Sequence, residues 1–209
     1  MSAYPVGYEA DFVEDRSRLS TFFRTLFAIP VELLIYVYGI GLVFTWVASW
    51  FALLFTGRYP EGLYRYNSRV VRWMTRVNGY ASLLTDTYPP FDLDEHPEYP
   101  IRVPIAPALE KYSRLKVFFR GWLTIIPALI SAVLGLIAFF ALIASWFVIV
   151  FTGKQKEGLQ NTINTSLAYQ ARYWAYALYL TETWPPFNTD EDAQTPAPAP
   201  PPPDIPGSN

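Results

Sequence analysis

The stretch that decides the fold is Ala48–Gly57, with the sequence ASWFALLFTG, because it recurs 96 residues later as ASWFVIVFTG at Ala144–Gly153. Extended outward without gaps, the same offset aligns Arg18–Asp94 with Arg114–Asp190 and gives 30 identities in 77 positions. Identity of this density over so many aligned positions indicates a duplicated structural unit.

Each copy of that stretch ends a long apolar run. Thr25–Phe55 contains one charged residue, Glu32, and Gly121–Phe151 contains none. Either run would be about 46 Å long as a helix at ~1.5 Å per residue, against a bilayer core of ~30 Å. A helix of a soluble protein does not stay apolar on every face over such a length. We therefore expect both runs to lie in a membrane, in agreement with a hydrophobic content of 52% and only 16% charged residues.

The charges beside the runs predict how each run meets the membrane. Basic residues flank both ends of both runs: Arg16, Arg18, Arg24, Arg58, Arg65 and Arg69 beside the first, and Arg114, Lys116, Arg120, Lys154 and Lys156 beside the second. The positive-inside tendency then places all four ends, and both termini, on the cytoplasmic side of a multi-pass protein. A hairpin that turns near Gly39 and Gly135 satisfies this requirement. The alternative is one long tilted or kinked helix that begins near Pro30 or Pro127.

A basic amphipathic helix is predicted after the first run. Arg65, Arg69, Arg72 and Arg76 follow one another at spacings of four, three and four residues, so they form one stripe on such a helix, the arginine stripe. The helix is suited to the membrane interface, where each basic residue near anionic headgroups contributes ~1 kcal/mol. The alternative is that the stripe only keeps the helix on the cytoplasmic side. The second repeat keeps one of the four arginines, as Arg172.

The chain divides into a first membrane repeat at residues 1–94, a second at residues 95–190 and a proline-rich tail at residues 191–209. Short segments before each repeat alternate apolar and polar residues and are expected to be extended. The proline content of the tail predicts disorder with polyproline II character. The predicted fold is therefore all-α and integral to the membrane, with two homologous repeats.

Two further features are candidate sites. Glu32 is an ionisable group inside an apolar run, which indicates either a proton- or ion-linked role or a local ion pair with Arg24. Trp50 and Trp146 occupy equivalent places in the repeats, and beside small alanines they are expected to pack together where the repeats meet.

Catalytic chemistry is not predicted. The chain has no cysteine, and its one histidine, His96, lies in an acidic linker without a second ligand set for a metal. Nucleotide-binding, zinc-protease and serine-hydrolase motifs are missing from the sequence. We expect no cofactor and no metal, and the net charge of −2 argues against a nucleic-acid partner.

Three motifs carry a resemblance to a known family. They are FFRxLxxIP at Phe22–Pro30, WFALLFTGRYPEGL at Trp50–Leu63 and LLTDTYPPF at Leu83–Phe91. Together they resemble a bacterial membrane family, domain of unknown function 4389, which often occurs as tandem copies. The second repeat departs from the pattern, with Lys154–Lys156 where the first has Arg58–Pro60. The resemblance implies a bacterial cell membrane and no known activity.

The expected function is that of a non-enzymatic membrane protein. It would organise lipids or an unknown membrane or cytoplasmic partner protein at the cytoplasmic membrane face. The alternative is a small transporter or channel built on the tandem repeat. The sparse polar residues of the two runs favour the first interpretation.

Overall fold

The computed structural model describes residues 4–186, and these are mostly helical. The tail at residues 191–209, predicted to be disordered, lies outside the described residues. The elements in chain order are β1 (Glu9–Ala10), α1 (Arg18–Phe22), α2 (Arg24–Thr56), α3 (Glu61–Ala81), β2 (Ile101–Arg102), α4 (Arg114–Leu123), α5 (Ile125–Thr152) and α6 (Glu157–Ala177). Three helices in each repeat, with a short strand before them, confirm the predicted two-repeat helical fold.

Of the two predicted alternatives, the hairpin is wrong and the single long helix is correct, because α2 and α5 are each one helix. Gly39 and Gly135, the expected turn positions, lie inside them. A turn in such apolar sequence would leave backbone N–H and C=O groups without partners, whereas a continuous helix pairs most of them internally. The helices end instead at Gly57 and Gly153, in the left-handed conformation with φ of 69° and 75°. There the glycine N–H groups donate to the carbonyl oxygens of Leu53 and Ile149, which closes the last turns.

The chain reverses after each of these glycines, so that the next helix runs antiparallel to the one before. Near the far end of α2, Val31 packs with Trp73 and Val77 of α3. In the middle of α2, the hydroxyl of Tyr66 donates to the carbonyl oxygen of Tyr38 at 3.1 Å. The predicted amphipathic helix is therefore present as α3, and it lies along the length of α2. Helix α6 packs along α5 in the same way.

The two repeats are related by an approximate two-fold axis and exchange their first helices. Helix α1 of the first repeat contacts α5 of the second, and α4 of the second contacts α2 of the first. The backbone N–H of Arg16 donates to the carbonyl oxygen of Gly153, and that of Tyr112 donates to Gly57, both at 2.8 Å. The two hydrogen bonds are equivalent, because Arg16 corresponds to Tyr112 and Gly57 corresponds to Gly153 under the 96-residue offset. Residues related by the offset are thus also related by the two-fold axis.

The predicted extended segments pair with each other across this axis. Strands β1 and β2 form an antiparallel ribbon in which Glu9 lies opposite Arg102, with a further bridge between Val6 and Ile105. The two pairs are equivalent under the 96-residue offset, since Glu9 corresponds to Ile105 and Arg102 corresponds to Val6. The rotation that exchanges two antiparallel strands is perpendicular to their ribbon, so the two-fold axis passes through the ribbon at right angles.

The helices and the ribbon form three layers along this axis. On α3, Val77 faces α2. Gly79 is two residues further on and about 200° round the helix, and it lies directly beneath the side chain of Ile101. On α6, Asn164 accepts a hydrogen bond from the hydroxyl of Tyr8 at 3.0 Å. The ribbon thus covers α3 and α6 on the side away from α2, which makes α3 and α6 the middle layer.

Candidate functional site

The outer faces of α2 and α5, which we call the apolar layer, form an extended apolar surface. Both helices are long and apolar enough to cross a membrane by length and composition, with mean hydropathies of 2.1 and 2.7 over their most apolar windows. Only 17% of each window is buried within the chain. Large side chains more than half exposed include Leu33, Tyr36, Val43, Phe44, Phe55, Leu129, Val133, Phe140, Phe147 and Phe151. An exposed apolar surface of this kind marks a site of interaction with a membrane or with another protein.

Helices α1 and α4 extend the same kind of surface at its two ends. Their exposed side chains include Leu19 and Phe22 on α1, and Leu115, Phe118 and Trp122 on α4. Arg18 on α1 donates to the carbonyl oxygen of Thr152 at 3.1 Å, at the C-terminus of α5. Cationic groups are favourable at a helix C-terminus, and here an arginine of one repeat stabilises the helix end of the other.

Glu32 is exposed on α2 and forms no salt bridge with a described residue. The ion pair with Arg24 considered from the sequence is not formed. The guanidinium of Arg24 is bound instead to the carboxylate of Asp86, 62 residues along the chain. Glu32 therefore faces outward, in the same layer as the apolar side chains around it.

The arginine stripe is largely covered by the acidic linker at residues 92–98. Arg72 is bound to Glu95 at 2.7 Å, and Arg69 lies 3.4 Å from Asp94. Arg76 is buried and donates to the backbone carbonyl of Asp94 at 2.9 Å. Burial lowers the pKa of the Arg76 guanidinium from its usual value, and nearby Arg72 adds to the effect. Contact of the whole stripe with lipid headgroups stays a prediction, and the linker competes with it.

His96 holds the acidic linker in shape. Its Nε2 lies 2.8 Å from a carboxylate oxygen of Asp92, and its Nδ1 lies 3.1 Å from Glu98. The hydrogen bond to Asp92, followed by that to Glu98, raises the pKa of the imidazole. Within residues 4–186 the structure places no group of three or more acidic or histidine side chains suited to holding a metal ion.

The two predicted tryptophans have different ring partners. The ring of Trp146 lies 5.9 Å from that of Phe22 in the first repeat and 5.1 Å from its neighbour Phe147. The ring partner of Trp50 is Phe51, at 4.9 Å. The exchange of the first helices accounts for the contact of Trp146 with Phe22, since it places a helix of the other repeat beside each apolar helix. Packing of the two tryptophans against each other stays a prediction.

A pair of buried arginines was not predicted as a site. Arg24 and Arg120 are equivalent under the offset and are 4% and 2% exposed. Each guanidinium lies over a tyrosine ring, with the central carbon of Arg24 4.1 Å from the ring centre of Tyr80 and that of Arg120 3.9 Å from that of Tyr176. Cation–π contacts of this kind strengthen when water is excluded. Retention of both the arginine and the tyrosine in two diverged repeats was the available signal.

Each buried arginine lines an apolar pocket between the repeats. The Arg24 pocket lies against α5, is about 240 Å³ in volume and is also lined by Thr25, Leu142 and Trp146. The Arg120 pocket lies against α2, is about 260 Å³ in volume and is also lined by Leu42, Trp46, Gly121, Tyr173 and Trp174. Burial lowers the pKa of the Arg120 guanidinium.

Comparison with known proteins defines the family alone. No curated protein and no solved structure matches the chain. The family model described as "Domain of unknown function (DUF4389)" matches twice, at residues 18–92 and 114–189. Both matched ranges fall on the repeats and include the apolar helices α2 and α5. With most of its length covered by two copies of this model, the chain belongs to the DUF4389 family.

Proposed function

We propose that the protein is a non-enzymatic membrane protein whose apolar layer is embedded in one leaflet, with α2 and α5 parallel to the membrane plane. In this position it organises lipids around the apolar layer and presents the ribbon and linker to a partner protein in the cytoplasm. The observation that carries the proposal is the order of the three layers, with exposed apolar helices on one side and the charged linker and ribbon on the other.

The position of the arginine stripe argues against α2 crossing the bilayer alone. Tyr66 and Trp73 of α3 both contact Tyr38, which lies close to the midpoint of α2. Arg69 and Arg72, between those two contacts in sequence, are therefore level with the middle of α2. A crossing α2 would place both arginines, and the carboxylates bound to them, near the bilayer centre. Each buried charge there costs ~2.5–3.5 kcal/mol on insertion scales.

The in-plane orientation also accounts for the flanking charges. Basic residues at both ends of both apolar helices require all four ends to lie on one side. Helices in the membrane plane satisfy this without a turn. The two-fold axis is then perpendicular to the membrane, so both repeats are embedded to the same depth.

Cysteine labelling tests the orientation, because the chain contains no cysteine of its own. Single cysteines replace Arg58, Lys156 and Glu98, which are exposed after α2, after α5 and in the linker. The in-plane orientation predicts that a membrane-impermeant maleimide labels all three in inverted vesicles and none in intact cells. A cysteine at Ser49, which is fully buried, serves as the unlabelled control.

The opposite outcome is equally defined. If positions 58 and 156 react from opposite sides of the membrane, each apolar helix crosses once and the in-plane orientation is wrong. That result would favour the transporter or channel, because the antiparallel helices would then form an inverted repeat across the bilayer.

A further inference from the structure

The two arginine pockets are equivalent in the fold but differ in charge balance. In the first repeat, Arg24 is bound to the carboxylate of Asp86, and its Nη1 donates to the carbonyl oxygen of Thr85 at 3.0 Å. In the second repeat, Arg120 donates to the equivalent carbonyl, that of Thr181, at 3.2 Å. No carboxylate among the described residues forms a salt bridge with Arg120.

The carboxylate that corresponds to Asp86 is held away from Arg120. Both carboxylates accept a hydrogen bond from the equivalent backbone N–H, Asp86 from Ser17 at 2.9 Å and Glu182, which has one methylene more, from Ser113 at 2.6 Å. The second oxygen of Glu182 lies 3.6 Å from the ammonium group of Lys116. In the first repeat Ser20 stands where the second has Lys116, so Asp86 has no lysine partner at that position.

Arg120 is consequently a buried cation with free donors. Its Nε and Nη1 are enclosed and have no hydrogen-bond partner among the described residues, whereas in Arg24 this holds for Nε alone. An unpaired donor on a buried charged group costs more than one on a neutral group. Such a cost is removed when an anion binds.

The pocket that Arg120 lines fits the remainder of an amphiphile. Apart from Arg120 and Thr124, its wall is formed by apolar and aromatic side chains and one glycine. Its volume of about 260 Å³ is below the ~300–1,000 Å³ usual for drug-sized ligands. It therefore accommodates a headgroup and the first part of one acyl chain. Leu42, Val43 and Trp46 come from α2, whose exposed face continues the apolar surface for the rest of the chain.

We propose that the Arg120 pocket binds one amphiphile with an anionic headgroup, either a fatty-acid carboxylate or a phospholipid phosphate, and that the Arg24 pocket does not. The anion lies beside the guanidinium, where Arg120 lines the pocket. The acyl chain leaves the pocket between α2 and α4 onto the apolar layer. The inference rests on the membrane location proposed above, because that is where such amphiphiles are found.

Native mass spectrometry of the full chain in detergent, after removal of bound lipid, tests the inference. The probes are palmitate and 1-palmitoyl-lysophosphatidylglycerol, with uncharged monopalmitin as the control. We expect one molecule of an anionic probe per chain and weaker binding of monopalmitin. Binding of palmitate alone identifies the carboxylate as the ligand, and binding of the lysolipid alone identifies the phosphate.

Matched variants of the two repeats locate the site. Arg120→Gln is expected to weaken binding of the anionic probe by about tenfold or more, because a charge-assisted hydrogen bond is lost. Arg24→Gln is expected to change it by less than about twofold. Circular dichroism of each variant shows whether it is folded.

A second pair of variants does not disturb the arginines. Gly121 lines the Arg120 pocket, and a Cβ added there would contact nothing within 4 Å. Gly121→Phe therefore fills the pocket and should abolish binding, whereas Thr25→Phe fills the Arg24 pocket and should not. Equal binding by Gly121→Phe and the unchanged protein, equal binding of monopalmitin, or no binding of either anionic probe would overturn the proposal. Because the assay uses detergent, its result is independent of the labelling experiment on membrane orientation.

Discussion

The first and second repeats have the same order of helices but differ in how their buried arginines are neutralised. The first repeat neutralises Arg24 with Asp86 inside one unit. The second has lengthened that carboxylate to Glu182 and drawn it to Lys116, so Arg120 is left without its carboxylate. Duplication preserved the scaffold, including the arginine and the tyrosine ring beside it. One carboxylate and one lysine decide whether the buried arginine has an ion-pair partner in its own repeat.

The middle layer shows a second difference between the repeats. Helix α3 carries the arginine stripe, and the acidic linker covers it. Helix α6 keeps only Arg172 of the four and is largely uncharged on the equivalent face. Among the described residues, the pairing of a basic stripe with an acidic linker is therefore a feature of the first repeat.

The largest expected effect comes from breaking the ion pair of the first repeat. Asp86→Asn should destabilise the protein by about 2–3 kcal/mol, below the ~3–5 kcal/mol of fully buried pairs because the Asp86 side chain is 30% exposed. Glu182→Gln, the matched change, should cost about 1 kcal/mol or less, since its partner Lys116 is largely exposed. Reversible unfolding in detergent, followed by circular dichroism, measures both. Equal losses in the free energy of unfolding would mean that the two carboxylates stabilise their repeats to the same extent.

A smaller effect is expected from exchanging a packing pair between the repeats. In the first repeat, Gly41 lies against the hydroxyl of Tyr66, and a side chain at 41 would overlap it. The equivalent residues of the second repeat are Ile137 and Thr162, so a larger residue on one helix accompanies a smaller one on the other. Gly41→Ile should destabilise the protein by about 1–3 kcal/mol through overpacking.

The double variant tests whether the pair acts together. Gly41→Ile combined with Tyr66→Thr should be more stable than the sum of the single changes predicts, because residues in contact couple. The same unfolding assay applies. Additive losses would show that the glycine and the tyrosine are independent, and that the exchange between repeats is coincidental.

The smallest expected effect concerns the arginine stripe. Changing Arg65, Arg69, Arg72 and Arg76 together to glutamine should lower retention of phosphatidylglycerol on purification by less than about twofold. The reason is that the linker already supplies carboxylates to Arg69 and Arg72 and a backbone carbonyl to Arg76. The Arg120→Gln variant, compared in the same preparation, should lose more. If the stripe variant loses most of the bound lipid and Arg120→Gln loses none, the lipid contact lies on α3 after all.

Much of the fold could be predicted because it depends on patterns of residues that are close together in the sequence. The duplication follows from aligned identities, the apolar helices from uninterrupted apolar sequence, and the stops at Gly57 and Gly153 from the residue type that the left-handed conformation requires. The amphipathic character of α3 follows from the spacing of its arginines.

The predicted hairpin failed for an identifiable reason. Ends with like charges require a turn only if each apolar run is perpendicular to the membrane. A helix in the membrane plane satisfies the same charges without one. The proposed in-plane orientation rests on α3, which keeps charged groups level with the middle of α2. The sequence of the apolar run itself contains no information about that neighbouring helix.

The sequence alone thus determined the repeats, the helices and the apolar character of α2 and α5, because these depend on residues close together in the chain. Only the tertiary structure decided which residues meet. It joined Arg24 to Asp86, placed α1 against α5 and covered the arginine stripe with the linker. Those contacts join residues roughly 20 to 130 positions apart. These contacts arise because whole helices pack about a two-fold axis. The periodicity of residues within one helix does not predict which other helix it packs against.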